Sequence, residues 1–92
     1  MQLQSKLDNH IAESYRNSIL IFQKELLHQQ KPIFTTEEWE KIIKTCKDYE
    51  EYCKTNKVPN DVINQATKFI RFEYQKALDT RNFLNLPQMP NI

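Results

Sequence analysis

The sequence predicts an all-α protein: a three-helix antiparallel bundle over residues 1–82 with a long N-terminal helix, followed by an apolar, proline-containing tail over residues 83–92. Glycine is absent from the 92 residues, and without it the left-handed backbone of tight β-hairpin turns is disfavoured. Apolar residues recur every three or four positions, which is the period of an amphipathic helix. A helix-start signature at residues 34–39 separates the long first helix from two further helices.

The first helix is predicted over residues 3–29. It must end before Pro32, because proline cannot continue a helix. A helix of this length is long for so small a domain, so we expect its first turns, with Leu3 and Leu7, to project beyond the other helices. The segment from Ile19 to Phe22 is expected to lie deepest. The predicted buried stripe comprises Leu3, Leu7, Ile11, Tyr15, Ile19, Phe22 and Leu26.

The second helix, predicted over residues 36–55, has the most explicit start signal in the chain. Thr35 and Glu38 fit a capping box, in which each side chain accepts a hydrogen bond from the other residue's backbone N–H. Phe34 and Trp39 flank this box, and we expect their rings to pack together as a hydrophobic staple.

The solvent face of the second helix carries acidic residues four positions before basic ones, a spacing that stabilises helices slightly. Asn56 is the best candidate for the left-handed residue that ends this helix, because the chain has no glycine. The expected ion pairs are Glu37–Lys41, Glu40–Lys44 and Glu50–Lys54, and the expected buried stripe is Trp39, Ile42, Ile43, Cys46, Tyr49 and Cys53.

The third helix is predicted over residues 60–82, with Asn60 as its N-cap or Pro59 at its first position. Its apolar side is wide enough to pack against two neighbours, and Phe72 lies off that side. Two prolines exclude helix beyond Leu86. The expected core residues of this helix are Val62, Ile63, Ala66, Phe69, Ile70, Tyr74, Ala77 and Leu78.

Composition and charge narrow the function classes. The net charge of +1 provides no strong field to attract nucleic acid or a membrane surface. The longest apolar run is Ile19-Leu20-Ile21-Phe22, so we expect neither a signal peptide nor a membrane-spanning segment. Cys46 and Cys53 lie seven residues apart on one helix, too far for a disulfide. We expect them to be reduced, buried thiols of a cytoplasmic protein.

Catalysis is the least expected function. His10 and His28 lie at opposite ends of the first helix and cannot share a metal ion, and a glycine-rich phosphate loop is impossible without glycine. Glu73 is flanked by apolar residues, but such a residue more often pairs with a neighbour such as Lys76 than transfers protons. We therefore expect no catalytic residue, no metal site and no cofactor.

Unpaired apolar surface favours a non-enzymatic role in binding another protein, and a homodimer is one form this binding can take. The overlong first helix, the left-over Phe72 and the apolar tail motivate this prediction. For the tail, burial in the core and contact with a partner are equally open. The predicted partner-binding residues are Leu3, Leu7, Phe72, Phe83, Leu86 and Met89.

The alternative function is that of a small DNA-binding transcriptional regulator, in which the second and third helices form a helix-turn-helix. Asn and Gln side chains suit adenine edges in the major groove. Against this, the turn lacks the usual glycine, and Asp48, Glu50 and Glu51 lie where DNA would approach. The recognition residues would be Asn60, Asn64, Gln65, Lys68 and Arg71.

One stretch of the chain also has a recognisable pattern. Arg16, Ile19 and Phe22 precede the turn Pro32-Ile33-Phe34 and the helix start Glu38-Trp39-Glu40. In this region, residues 16–43, the chain resembles a group of short phage-encoded helical proteins of unassigned role. It departs from them after Tyr49, where that group has a glycine-rich turn. The resemblance implies an accessory, inhibitory or immunity-type protein of a phage, plasmid or bacterial host, and it assigns no functional residue.

Overall fold

In a computed structural model of the chain, three helices pack into an all-α bundle, as the sequence predicts. Each helix boundary lies within two residues of its predicted position. The helices are α1 (Gln2–His28), α2 (Thr36–Asn56) and α3 (Asp61–Thr80).

The structure describes the backbone of residues 2–29 and 31–84, and the side chains from residue 10 onward within these ranges. In this part of the chain no residue forms a β-strand, and no helix is long and apolar enough to cross a bilayer. The side chains of Leu3 and Leu7 lie outside the described part, as do Leu86 and Met89. Their role in partner binding stays a prediction.

Helix α1 contacts both other helices. Tyr15 packs against Tyr49 and Phe22 against Trp39, so α1 and α2 run antiparallel. Trp39 at the start of α2 packs against Tyr74 in the second half of α3, which is consistent with α3 running in the direction of α1. Ile11 of α1 lies beside Thr55 and Asn56 at the end of α2. Because α1 starts at Gln2, it extends about 13 Å beyond this level at 1.5 Å per residue. The described structure is accordingly elongated, with dimensions of 54 × 31 × 20 Å.

The start of α2 is built as the sequence predicts. Thr35 Oγ1 accepts from the N–H of Glu38 at 3.1 Å, and Glu38 Oε1 accepts from the N–H of Thr35 at 2.9 Å. The rings of Phe34 and Trp39 pack edge to face with centroids 5.7 Å apart, which confirms the staple. Phe22 of α1 stacks on Phe34 at 3.8 Å, so the staple also fixes the loop against α1.

Buried side chains from all three helices form one core. Cys46 and Cys53 belong to it as free, buried thiols, as predicted. Thr67 is also fully buried and donates a hydrogen bond to the carbonyl of Asn64 at 2.9 Å. The buried apolar residues are Ala12, Ile19, Phe22, Phe34, Trp39, Ile42, Cys46, Tyr49, Cys53, Ile63, Ala66, Ile70 and Ala77.

The prediction that the whole segment from Ile19 to Phe22 lies deepest is wrong, because Leu20 and Ile21 are 39% and 58% exposed. Four residues of the predicted stripes are also less buried than expected: Ile11, Val62 and Leu78 are 45%, 72% and 42% exposed, and Phe69 is half-buried. These four lie about 80–100° around their helices from the fully buried Ile19 or Ile70, at 100° per residue. At that angle, coverage depends on how closely the neighbouring helix approaches, and here it does not reach them.

Helices α2 and α3 end in left-handed residues, although not the one predicted. Lys57 and Arg81 adopt φ values of 53° and 54°. The prediction for Asn56 is wrong, because Asn56 is the last helical residue and its Nδ2 donates to the carbonyl of Tyr52 at 2.9 Å. This bond holds Asn56 in the helix, so the reversal falls on Lys57, whose N–H donates to Cys53 O.

The ion pairs also differ from those predicted. Lys44 Nζ lies 2.8 Å from Asp48 Oδ2, and Glu50 pairs with Arg71 across the α2–α3 contact at 2.7 Å. The guanidinium of Arg71 offers Glu50 two parallel donors, which a lysine cannot. Among the described residues, none of the predicted pairs Glu37–Lys41, Glu40–Lys44 and Glu50–Lys54 forms.

Candidate protein-binding surface

A group of large apolar side chains is exposed along one side of the bundle. Val62 and Phe72 of α3 are 72% and 62% exposed, and Leu20 and Leu27 of α1 are 39% and 65% exposed. Phe69 of α3 is half-buried. We refer to these five residues, Leu20, Leu27, Val62, Phe69 and Phe72, as the α1/α3 face.

The side of α1 that carries Leu20 follows from the buried Ile19. Consecutive residues differ by 100° around a helix, so Ser18 and Leu20 flank Ile19 on opposite sides. Ser18 lines a cleft shared with Thr45 of α2, which places Leu20 on the side toward α3. Leu27 follows Leu20 by two turns and lies on the same side.

The same argument places the aromatic residues of α3. Phe69 and Arg71 flank the fully buried Ile70 on opposite sides. Arg71 donates to a carboxylate of α2, so Phe69 lies on the side toward α1. Val62 precedes Phe69 by two turns, and Phe72 follows it by three residues, so both extend the same side of the helix.

The two rows are also level with each other. Leu26 of α1 and Ala77 of α3 line the same cleft, so these two residues lie at similar heights in the bundle. Counting back six residues along each, Leu20 lies near the level of the turn of α3 that carries Phe72. The α1 row and the α3 row therefore lie along the same side of the bundle, with Phe72 at the outer edge of the α3 row.

Polar side chains border this surface. Glu13 and Lys24 are exposed on the flank of α1 that carries the leucines. Lys76 Nζ lies 5.4 Å from the ring centroid of Phe72 and 3.3 Å from Glu73 Oε2. An apolar centre with a polar rim is the usual anatomy of a protein interface.

The apolar area of the α1/α3 face is on the order of 400 Å², taking about 150–200 Å² for each fully exposed large side chain. Single exposed apolar residues are normal on soluble proteins. A contiguous patch of about 300–600 Å², in contrast, is typical of the largest patch on a monomer and is often functional. The summed apolar area of the α1/α3 face is in this range.

Sequence reasoning identified Phe72 but missed its neighbours. The sequence predicts Val62 and Phe69 in the core and Leu20 in the deepest segment of α1, and it assigns Leu27 to no stripe. A signal was present: Leu20 and Leu27, like Val62 and Phe69, are spaced by seven residues, so each pair marks a second apolar row beside the core stripe.

The beginning of the predicted tail packs against the bundle. The ring of Phe83 is half-buried against the core, and the N–H of Leu84 donates to the carbonyl of Phe34 at 2.8 Å. The sequence left Phe83 open between the core and a partner, and the structure places it with the core. Phe83 is therefore not part of the α1/α3 face.

Two clefts adjoin the Phe34 loop. One of about 450 Å³ lies against the end of α3, and Glu73 and Lys76, which line it, pair with each other, as the sequence predicted. The other, of about 330 Å³, lies between α1 and α2 and includes Ile21 and Phe22. Neither lining includes a histidine or a cysteine, and the described residues contain no group of three or more metal-ligating side chains.

The buried thiol and phenol groups of the bundle are part of the core and show no sign of a reactive site. Burial raises the pKa of the Cys46 thiol to about 11, and a thiol that stays protonated is a poor nucleophile at neutral pH. Tyr49 Oη accepts a hydrogen bond from Arg16 Nη1 at 3.4 Å. Burial also raises the pKa of Tyr49, and the Arg16 hydrogen bond opposes this effect.

The residues proposed for DNA recognition are only partly exposed. Arg71 donates to both oxygens of an α2 carboxylate at 2.7 Å. Asn64 is half-buried, and Asn60 Oδ1 is buried at the N-cap of α3, where its side chain makes no capping bond. Gln65 and Lys68 are exposed. Two of the five candidate side chains are therefore free to contact a nucleic acid.

No protein-family model, no curated protein and no solved structure matches the chain. The exposed apolar side chains of the described residues therefore carry the functional proposal.

Proposed function

We propose that the chain is a small, non-enzymatic protein-binding protein that docks through the α1/α3 face. The observation that carries the proposal is Phe72, an aromatic ring 62% exposed on the same side of the bundle as four other large apolar side chains. Aromatic side chains are typical anchors of protein interfaces. A partner that covers them removes apolar surface from water, which is favourable.

The size of the face indicates the strength of the interaction. Burying about 400 Å² of apolar surface contributes about 10 kcal/mol at 25 cal/mol per Å². Association itself costs about 4–15 kcal/mol in lost translational and rotational freedom. The difference is at most about 6 kcal/mol, which corresponds to a dissociation constant of tens of micromolar. The face alone therefore supports weak binding, which contacts at the charged rim would strengthen.

The biological setting rests on two further features. The resemblance at residues 16–43 favours an accessory, inhibitory or immunity-type protein of a phage, plasmid or bacterial host. The unpaired, buried thiols of Cys46 and Cys53 favour a reducing compartment such as the cytoplasm.

Site-specific photocross-linking tests the proposal. A photoreactive phenylalanine analogue replaces Phe72 in one variant and Ile21 in another, in cells that naturally carry the gene. Ile21 is the matched control because it is 58% exposed and lies on the α2 side of α1. We expect protein adducts at position 72, their loss on adding Val62→Glu, and no adducts at position 21. Equal adducts at both positions, or none at position 72, would contradict the proposal.

A further inference from the structure

We infer that the partner of the α1/α3 face is a second copy of this chain, packed about a two-fold axis with the α3 helices of the two copies antiparallel. This inference rests on the proposed function, of which it names the partner. A two-fold interface uses the same surface on both copies, so it requires nothing beyond the face already present.

The area of the face matches what a dimer needs. A standard interface buries about 800 Å² on each partner, and about 57% of such an interface is non-polar. The apolar share is then about 450 Å² per partner, close to the roughly 400 Å² that the α1/α3 face exposes. The face alone supplies the apolar part of an ordinary dimer interface.

The charges along the face are complementary under a two-fold axis. Glu13 and Lys24 both lie on the flank of α1 that carries the leucines, about 16 Å apart along the helix, while Lys76 is already paired with Glu73. An antiparallel arrangement brings Glu13 of each copy onto Lys24 of the other. The net charge of +1 adds little general repulsion between the two copies.

The aromatic residues lie where the axis would pass. With Leu26 and Ala77 at similar heights, Phe69 and Phe72 lie near the level midway between Glu13 and Lys24, so each copy would present its rings to the rings of the other. Central, fully desolvated aromatic side chains dominate the energy of interfaces. A charge at position 72 would therefore be buried opposite its own symmetry copy, which is strongly unfavourable.

Mass measurement by light scattering tests the inference. For the unmodified chain we expect twice the monomer mass of 11.1 kDa at high micromolar concentration. Phe72→Glu should give the monomer mass, and Ile21→Glu, the matched control on the other flank of α1, should keep the dimer. Circular dichroism checks that both variants remain helical. A monomeric unmodified chain, or a dimer lost only in Ile21→Glu, overturns the inference.

Charge reversal tests the orientation. In a Glu13→Lys dimer, the lysine introduced in each copy would face Lys24 of the other copy, so two pairs of like charges form. We expect each pair to raise the dissociation constant by about 2- to 5-fold. Adding Lys24→Glu to this variant should restore the affinity, because it re-forms opposite-charge contacts. An unchanged dissociation constant in Glu13→Lys overturns the antiparallel arrangement.

The two proposals fail in different ways. A monomeric chain that forms adducts at position 72 with a different protein overturns the second-copy inference and leaves the proposed function standing. A dimer that survives Phe72→Glu, together with no adduct at position 72, overturns both.

Discussion

Arg71 of α3 donates two hydrogen bonds to the carboxylate of Glu50 of α2, each 2.7 Å long. Their side chains are 39% and 35% exposed. The pKa of Glu50 is lowered from its ordinary value, chiefly by the hydrogen bond from Arg71. A carboxyl group with a lower pKa in the folded state stabilises the fold above its unfolded pKa, and this stabilisation is lost as the pH falls through the folded pKa.

The first prediction concerns this pair. Glu50→Gln should lower the free energy of unfolding at pH 7 by about 0.5–1 kcal/mol, a small value because the pair is partly solvated. At acid pH, below the folded pKa of Glu50, the difference from the unmodified chain should vanish, because the carboxyl group is then protonated in both states. Urea unfolding at both pH values measures this. Glu51→Gln, on an exposed neighbour, is the control, and an equal loss at both pH values would contradict the prediction.

The second prediction concerns the capping box. Thr35→Ala leaves the N–H of Glu38 without its acceptor at 3.1 Å and should cost about 1 kcal/mol. For a domain of this size, that lowers the thermal midpoint by about 4–8 °C. Thr36→Ala, one residue later, makes the matched control. Equal midpoints for the two variants would show that the Thr35 hydroxyl does not stabilise α2.

The third prediction uses one substitution at two places. Lys57 adopts φ 53°, a conformation that costs a non-glycine residue about 1–2 kcal/mol. Glycine avoids this cost, but its greater freedom in the unfolded chain offsets part of the gain. Lys57→Gly should therefore stabilise the bundle by up to about 1 kcal/mol. Lys54→Gly, inside α2, should destabilise it by about 1 kcal/mol. Chemical denaturation that gives the same sign for both would contradict the assigned helix end.

The fourth prediction concerns thiol chemistry. In a Cys53→Ser variant, Cys46 should react with a thiol-specific reagent at pH 8 at least 100-fold more slowly in the folded than in the unfolded chain, because burial raises its pKa to about 11 and the thiolate is the reactive form. Absorbance of the released chromophore measures the rate. Comparable rates with and without denaturant would show that Cys46 is accessible.

Features set by neighbours in the sequence were predictable. The Thr35–Glu38 box and the Phe34–Trp39 staple each depend on residues within a span of six, so the sequence alone contains the interaction. The centre of each buried stripe was also predictable, because a residue facing the bundle axis is covered whatever the crossing angle.

Features set by residues distant in sequence were not predictable. Val62 is exposed because α1 does not reach the edge of the α3 stripe, and no local pattern encodes that distance. Glu50 had a suitable partner four residues away in Lys54, but it pairs with Arg71, 21 residues away. The candidate surface was found only in part for the same reason, since the rows that carry Leu20 and Phe72 come to lie on one side of the bundle only when α1 and α3 pack.

The most direct test of the central claim uses the unmodified chain. A soluble paramagnetic agent attenuates the NMR signals of methyl groups in proportion to their contact with solvent. In one isolated copy, Val62 and Leu27, 72% and 65% exposed, would be attenuated at least as strongly as Ile21, which is 58% exposed. If two copies pair through the α1/α3 face, Val62 and Leu27 will instead be shielded at millimolar concentration while Ile21 stays attenuated. Attenuation of Val62 and Leu27 equal to or greater than that of Ile21 would contradict the account.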